Sequence, residues 1–151
     1  MIFKDIIKSR DYIHGQLNQG GKPSVKEAIK QLHRAIRAIS VGEEQNITTV
    51  ASITICIIMD VMWYAKIEMD PVVDNTEHVK YGSDAIAKGD AIYYLSSAIR
   101  DIGVHGNWRG RGVEDSLVHA IEIMEYLIIK DGNDPSDEIK DVLVLWKEEN
   151  S

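Results

Sequence analysis

Residues 47–67 read ITTVASITICIIMDVMWYAKI, and the fold turns on what this run becomes. Asp60 and Lys66 are its only charged residues, and on a helical wheel it is apolar on every side. In a globular domain such a helix is enclosed by amphipathic neighbours. The β-branched content (Ile47, Thr48, Thr49, Val50, Ile53, Thr54, Ile55) would also suit a strand, but the run is too long for an ordinary one and holds no turn residue. Its length would also cross a membrane. Against that, Asp60, Ser52 and three threonines interrupt it, and no interfacial anchors flank it. The expectation is an all-α protein, a single-domain bundle of five to six helices around a central apolar helix over 47–67.

A chain of 151 residues, 44% hydrophobic and 27% charged, is the size of one domain (1–151) and can enclose a core without disulfides or metal. The formal net charge of -7 argues against general affinity for nucleic acid, so an anion site must be a local basic patch. Cys56 is the single cysteine and sits inside the apolar run, where burial makes it inert. Charges break up the N-terminal MIFKDIIKSRD, so no signal peptide is read there, and a cytoplasmic protein without a membrane partner is expected.

Working outward, residues 1–17 carry apolar residues at a helix-like period, and 16–23 with Gly20-Gly21 form a loop. Ser24 and Glu27 make a capping box opening a helix to about Ser40, with Val25, Ala28, Ile29, Leu32, Ala35, Ile36 and Ile39 at three-four spacing. Asp70-Pro71 stops the central helix. Asn75 or Thr76 caps a long helix to about Ile102, closed by Gly103, with Ile92, Leu95, Ile99 and Ile102 as its core stripe. Gly82, Gly89 and Ser96 recur seven apart as a bare ridge open to close approach, unless Gly89 marks a break. A helix over 113–131 turns Leu117, Ala120, Ile121, Met124 and Ile128 inward. After a turn at 132–136, a last helix packs through Ile139, Val142, Leu143 and Trp146. Ile123, Ile129 and Val144 fall off the stripes, which makes a homo-oligomer plausible on physical grounds.

Two features stand out from the acidic background. Lys26, Lys30, Arg34 and Arg37, with Lys22 ahead and His33 near, share one face of the capped helix. That face reads either as a solvated surface or as an anion-binding ridge. The second feature is His105-Gly106-Asn107-Trp108-Arg109-Gly110-Arg111-Gly112. Its glycines allow close backbone approach, Arg109 and Arg111 offer planar forks for phosphate, and Trp108 offers a face for a base. His105 and Asn107 add hydrogen-bonding groups, while Glu114 and Asp115 just beyond would repel an anion. The alternative is an ordinary surface loop with its arginines paired to those acids. No Walker loop, dinucleotide fingerprint or nucleophile elbow is present, the five histidines are scattered, and no cofactor or metal is expected.

The piece KGDAIYYLSSAIRDIGV, 88–104, resembles the second signature of the all-α nucleotide pyrophosphohydrolases. The resemblance implies a magnesium-holding role for Asp90, but Ile86 and Ala87 stand where the family's glutamates belong, and its earlier Glu-xx-Glu pair is missing. Asp60 requires a buried partner, with Arg100, His119 or a ridge arginine as candidates. The functional expectation is non-enzymatic binding of an anionic, nucleotide-like small molecule, for sequestering or sensing, by an oligomeric cytoplasmic protein of the kind phages and mobile elements encode. Its site would combine Arg109, Arg111 and Trp108 with the Lys26–Arg37 ridge. The alternatives are a diverged magnesium-dependent hydrolase using Asp90, Asp84 and Glu77, and a protein–protein interaction module.

Overall fold

The structure, a computed structural model, describes residues 10–17, 22, 24–41, 46–65, 81–105 and 111–149. All regular structure among them is helical: α1 (Arg10–Leu17), α2 (Val25–Val41), α3 (Ile47–Ala65), α4 (Asp84–His105), α5 (Arg111–Lys130) and α6 (Pro135–Glu149). The fold is all-α, and α3 is the buried apolar helix at its centre, packed against α1, α2, α5 and α6.

Burial explains why α3 exists at all. Ala51, Ile55, Ile58, Met59, Val61 and Met62 are sealed from solvent on successive turns. Each fully buried aliphatic side chain contributes about 1.5–3 kcal/mol, which outweighs the poor helix propensity of the β-branched residues. By length and hydropathy α3 could cross a membrane, and 78% of its apolar window is buried inside the protein. Its hydroxyls are absorbed locally: Ser52 and Thr54 donate to the carbonyls of Thr48 and Val50 one turn back. Asn46 caps it through the Thr48 amide at 2.8 Å.

The other helices present stripes to this hub. On α2, Ala28, Leu32, Ala35 and Ile39 are buried while Val25, Ile29 and Ile36 pack at the margin. Ser24 caps it as expected, accepting from the Glu27 amide at 3.3 Å, and the Ser24 amide donates to the Tyr64 carbonyl at 3.1 Å, tying the start of α2 to the end of α3. On α5, Leu117, Ala120, Ile121, Met124 and Ile128 are buried as expected. Ile123, expected outside, is only 2% exposed, because α5 packs on both α3 and α4 and needs a wider apolar face. The turn after α5 closes on Gly132 at φ +82°, with Asn133 donating to the Ile128 carbonyl and Gly132 to that of Ile129. Thr48 ties this turn to α3, donating to Asp131 at 2.7 Å and accepting from Asn133 at 2.9 Å.

Several expected boundaries move. Asp84 opens α4, with Ser83 accepting from the Ile86 amide at 3.2 Å, and the helix runs unbroken through Gly89 and past Gly103 to His105. Its core stripe is Ala87, Ala91, Leu95, Ala98 and Ile102; Ile92 and Ile99 sit at the margin. The small alanines bring α4 close to α2 and α5, which rotates the larger residues outward. Gly15 lies within α1. The expected helix over 1–9, the break at Asp70-Pro71 and the cap at Asn75 or Thr76 lie outside the described residues.

Candidate functional site

The basic ridge forms as the spacing predicted, with Lys26, Lys30, Arg34 and Arg37 on exposed positions of α2. Its members then diverge. Lys30 lies 3.5 Å from Glu27, a contact between two exposed side chains that contributes little. Arg34 is different: its Nη1 donates to the Oε1 of Gln31 at 3.0 Å, and Gln31 is buried. Both line a cavity of about 430 Å³ enclosed by α1, α2, α3 and α6.

The cavity follows from a gap between α3 and α6. Thr49, Ile53, Cys56, Ile57 and Asp60 lie along one face of α3, and α6 contributes Val142, Leu145, Trp146 and Glu149 across from them. Leu17 closes the α1 side, and its carbonyl accepts from the Trp146 indole at 3.0 Å, which fixes the ring. Leu145, Arg34 and Glu149 are exposed at the mouth, while Cys56 and Asp60 are buried at the floor. Burial, then the Asp60 charge, pushes the Cys56 thiol up to about 12, so it is a protonated wall and not a nucleophile. A mostly apolar cavity of this size with few polar groups is the usual form of a small-molecule site.

Asp60 meets His14 of α1, where the sequence offers Arg100, His119 or a ridge arginine as candidates. It accepts from His14 Nδ1 at 2.5 Å, both side chains being buried. His14 is sandwiched in aromatic surface: it stacks on Trp63 with ring centroids 3.3 Å apart and meets the edge of Tyr64. Arg100 instead lies 3.8 Å from Asp101, and His119 stacks on Tyr94 and lies 3.7 Å from Glu122. The His14 Nε2 is buried without a hydrogen-bond partner among the described residues. His14 is not among the lining residues, and its contact holds Asp60 in place at the floor. Tyr64, beside the same aspartate, is raised above the ordinary phenol range by burial and by Asp60 and Glu27, with Arg34 opposing.

Only the two ends of the glycine-rich segment are among the described residues, and both are helical. His105 closes α4 and Arg111 opens α5, and their side chains lie outside the described part, as do Asn107, Trp108 and Arg109 altogether. The site reading that joins those five residues to the ridge therefore rests on the sequence. Among the described residues, the indole that shares a cavity with a ridge arginine is Trp146, a residue the sequence puts on a core stripe. Gln31 was missed as well, although a glutamine inside the Ala28–Leu32–Ala35 stripe is a visible irregularity.

A second polar group lies between α4 and α5. Tyr81 donates to Asp90 at 2.7 Å, and Tyr126 accepts from the Tyr81 amide. Burial raises Glu122 to about 7; burial and then Glu122 raise Glu125 to about 8. Asp84, invoked with Asp90 for hydrolase chemistry, accepts from Lys130 at 3.0 Å, and Glu77 lies outside the described residues. Among the described residues no group of three histidine, cysteine or acidic side chains is arranged to hold a metal ion. No protein family, curated protein or solved structure matches the chain.

Proposed function

We propose that this chain is a non-enzymatic small-molecule-binding protein that sequesters or senses an anionic, nucleotide-like ligand, seated in the cavity between α2, α3 and α6. The observation that carries the reading is the placement of Arg34, held by Gln31, on the wall of an apolar cavity that also contains the fixed indole of Trp146. A guanidinium matches a phosphate or carboxylate, and an indole face accepts a flat ring.

The charge balance narrows the ligand. Among the described residues Arg34 is the only cation on the cavity wall, whereas Asp60 and Glu149 are acids. A polyphosphate would meet too little positive charge there. One acidic group, with ring amines to donate to acceptors such as Gln31 and Glu149, suits the wall better. A nucleoside monophosphate or a cyclic nucleotide has that chemistry.

Thermal-shift measurements against nucleosides and their mono-, tri- and cyclic phosphates test this directly. Binding raises the melting temperature by mass action. Monophosphates or cyclic nucleotides should give the largest rise, and Arg34→Ala should weaken it by about tenfold in affinity. The proposal fails if none of these compounds shifts the transition, or if the shift survives both Arg34→Ala and the cavity-filling Ile53→Trp.

A further inference from the structure

The outward face of α4 carries a pattern that the packing among the described residues leaves exposed. Ile86, Tyr93 and Arg100 recur every seven residues, and Gly89, Ser96 and Gly103 recur every seven between them. All six point to solvent: Ile86 is 59% exposed and Tyr93 63%, and the Arg100 side chain is 72% exposed. A methyl group built at Gly89 or Gly103 would meet nothing within 4 Å. Glycine weakens a helix, so these two positions cost α4 stability without serving any close packing among the described residues. Alternation at three and four residues is the spacing of a helix–helix seam, and small residues in a seam let two backbones approach closely.

We infer that α4 is a self-association face, on which a second copy of this chain packs its own α4 antiparallel about a two-fold axis. The pattern fits itself in that orientation. Setting Tyr93 against the partner's Ser96 also sets Ile86 against the partner's Gly103 and Arg100 against the partner's Gly89. Every large residue then meets a small one, reciprocally, as a two-fold contact requires. Charge follows the same register. Arg100 comes beside the partner's Asp90. A parallel pairing would instead oppose Arg100 to the partner's Arg100 and leave glycine facing glycine. Ile92 and Ile99, half-buried along the margin of the seam, would be covered further. The helix dipoles also oppose one another favourably in the antiparallel arrangement.

Sedimentation velocity on the full chain, with light scattering across a concentration series, tests the interface. The unaltered protein should be a dimer at micromolar concentration. Gly89→Leu puts a side chain into open space in the single chain and favours the helix, so circular dichroism and melting should show an intact fold. In the dimer it occupies the place of the partner's Arg100, and the dissociation constant should rise by at least about tenfold. Arg100→Glu should dissociate the dimer by facing the partner's Asp90, while Arg100→Lys should retain it. A protein that is monomeric at every concentration overturns the inference, as does a dimer indifferent to both Gly89→Leu and Arg100→Glu. Neither outcome bears on the cavity, because the two surfaces share no residue.

Discussion

His14 and Asp60, 46 positions apart, are joined by a 2.5 Å hydrogen bond that fastens α1 onto the central helix. Each is nearly sealed from water, so the contact offsets part of the cost of burying both. Breaking such a pair from one side is costlier than removing both, because the survivor stays buried with one partner fewer. His14→Ala alone should destabilise the fold by about 3–5 kcal/mol. His14→Leu with Asp60→Leu should cost much less than the sum of the single changes. Urea unfolding of the four proteins in a double-mutant cycle measures the coupling.

Glu125 and Glu122 give stability a pH dependence of definite sign. Their carboxyls are raised to about 8 and about 7 from an ordinary 4.5, so the folded state holds protons that the unfolded state has released. Stability from these groups is full below pH 4.5 and falls as pH rises through the two folded values. Glu125 also has an oxygen buried without a hydrogen-bond partner among the described residues. Glu125→Gln should therefore raise stability at alkaline pH by about 1–2 kcal/mol, with little gain at pH near 4. Melting curves across that range read both the slope and its loss.

Cys56 should resist modification. With its thiol pushed up to about 12 and its side chain buried on α3, labelling by an aromatic disulfide reagent at pH 8 should be slow in the native protein and complete once urea is added. Rapid native labelling would mean that the cavity floor opens. Ligand occupancy of the cavity should slow the native reaction further.

Two glycines should respond oppositely to alanine. Gly132 has φ +82°, a conformation that costs an L-residue about 1 kcal/mol, so Gly132→Ala should lower stability by that order. Gly89 is mid-helix with open space around it, and Gly89→Ala should raise the stability of the single chain by about 0.8–1 kcal/mol. Denaturant midpoints of the two variants, measured at a concentration too low for self-association, check both signs.

How far the sequence discloses this molecule depends on whether the signal is local. The all-round apolarity of α3 and the three-four spacing of α2 are written in residue type, and burial follows them closely. On α4 the larger residues Ile92 and Ile99 draw the eye, but Ala87, Ala91 and Ala98 face the core because they permit close helix contact. Alanine carries too weak a hydropathy signal to announce that. The four ridge cations are equivalent in sequence, and only the placement of α6 makes Arg34 a cavity residue while Lys26, Lys30 and Arg37 remain on the surface. The contact between His14 and Asp60 is equally invisible in the sequence, since no periodicity relates positions 14 and 60.

The central placement of α3 sets a problem of timing during synthesis. Its packing partners α1 and α2 precede it in the chain, but α5 and α6 are made only afterwards. At roughly 5–20 residues per second the ribosome needs on the order of ten seconds to supply them. Through that interval the most water-averse segment of the nascent polypeptide is shielded on one flank alone, which makes it the natural place for a chaperone to hold.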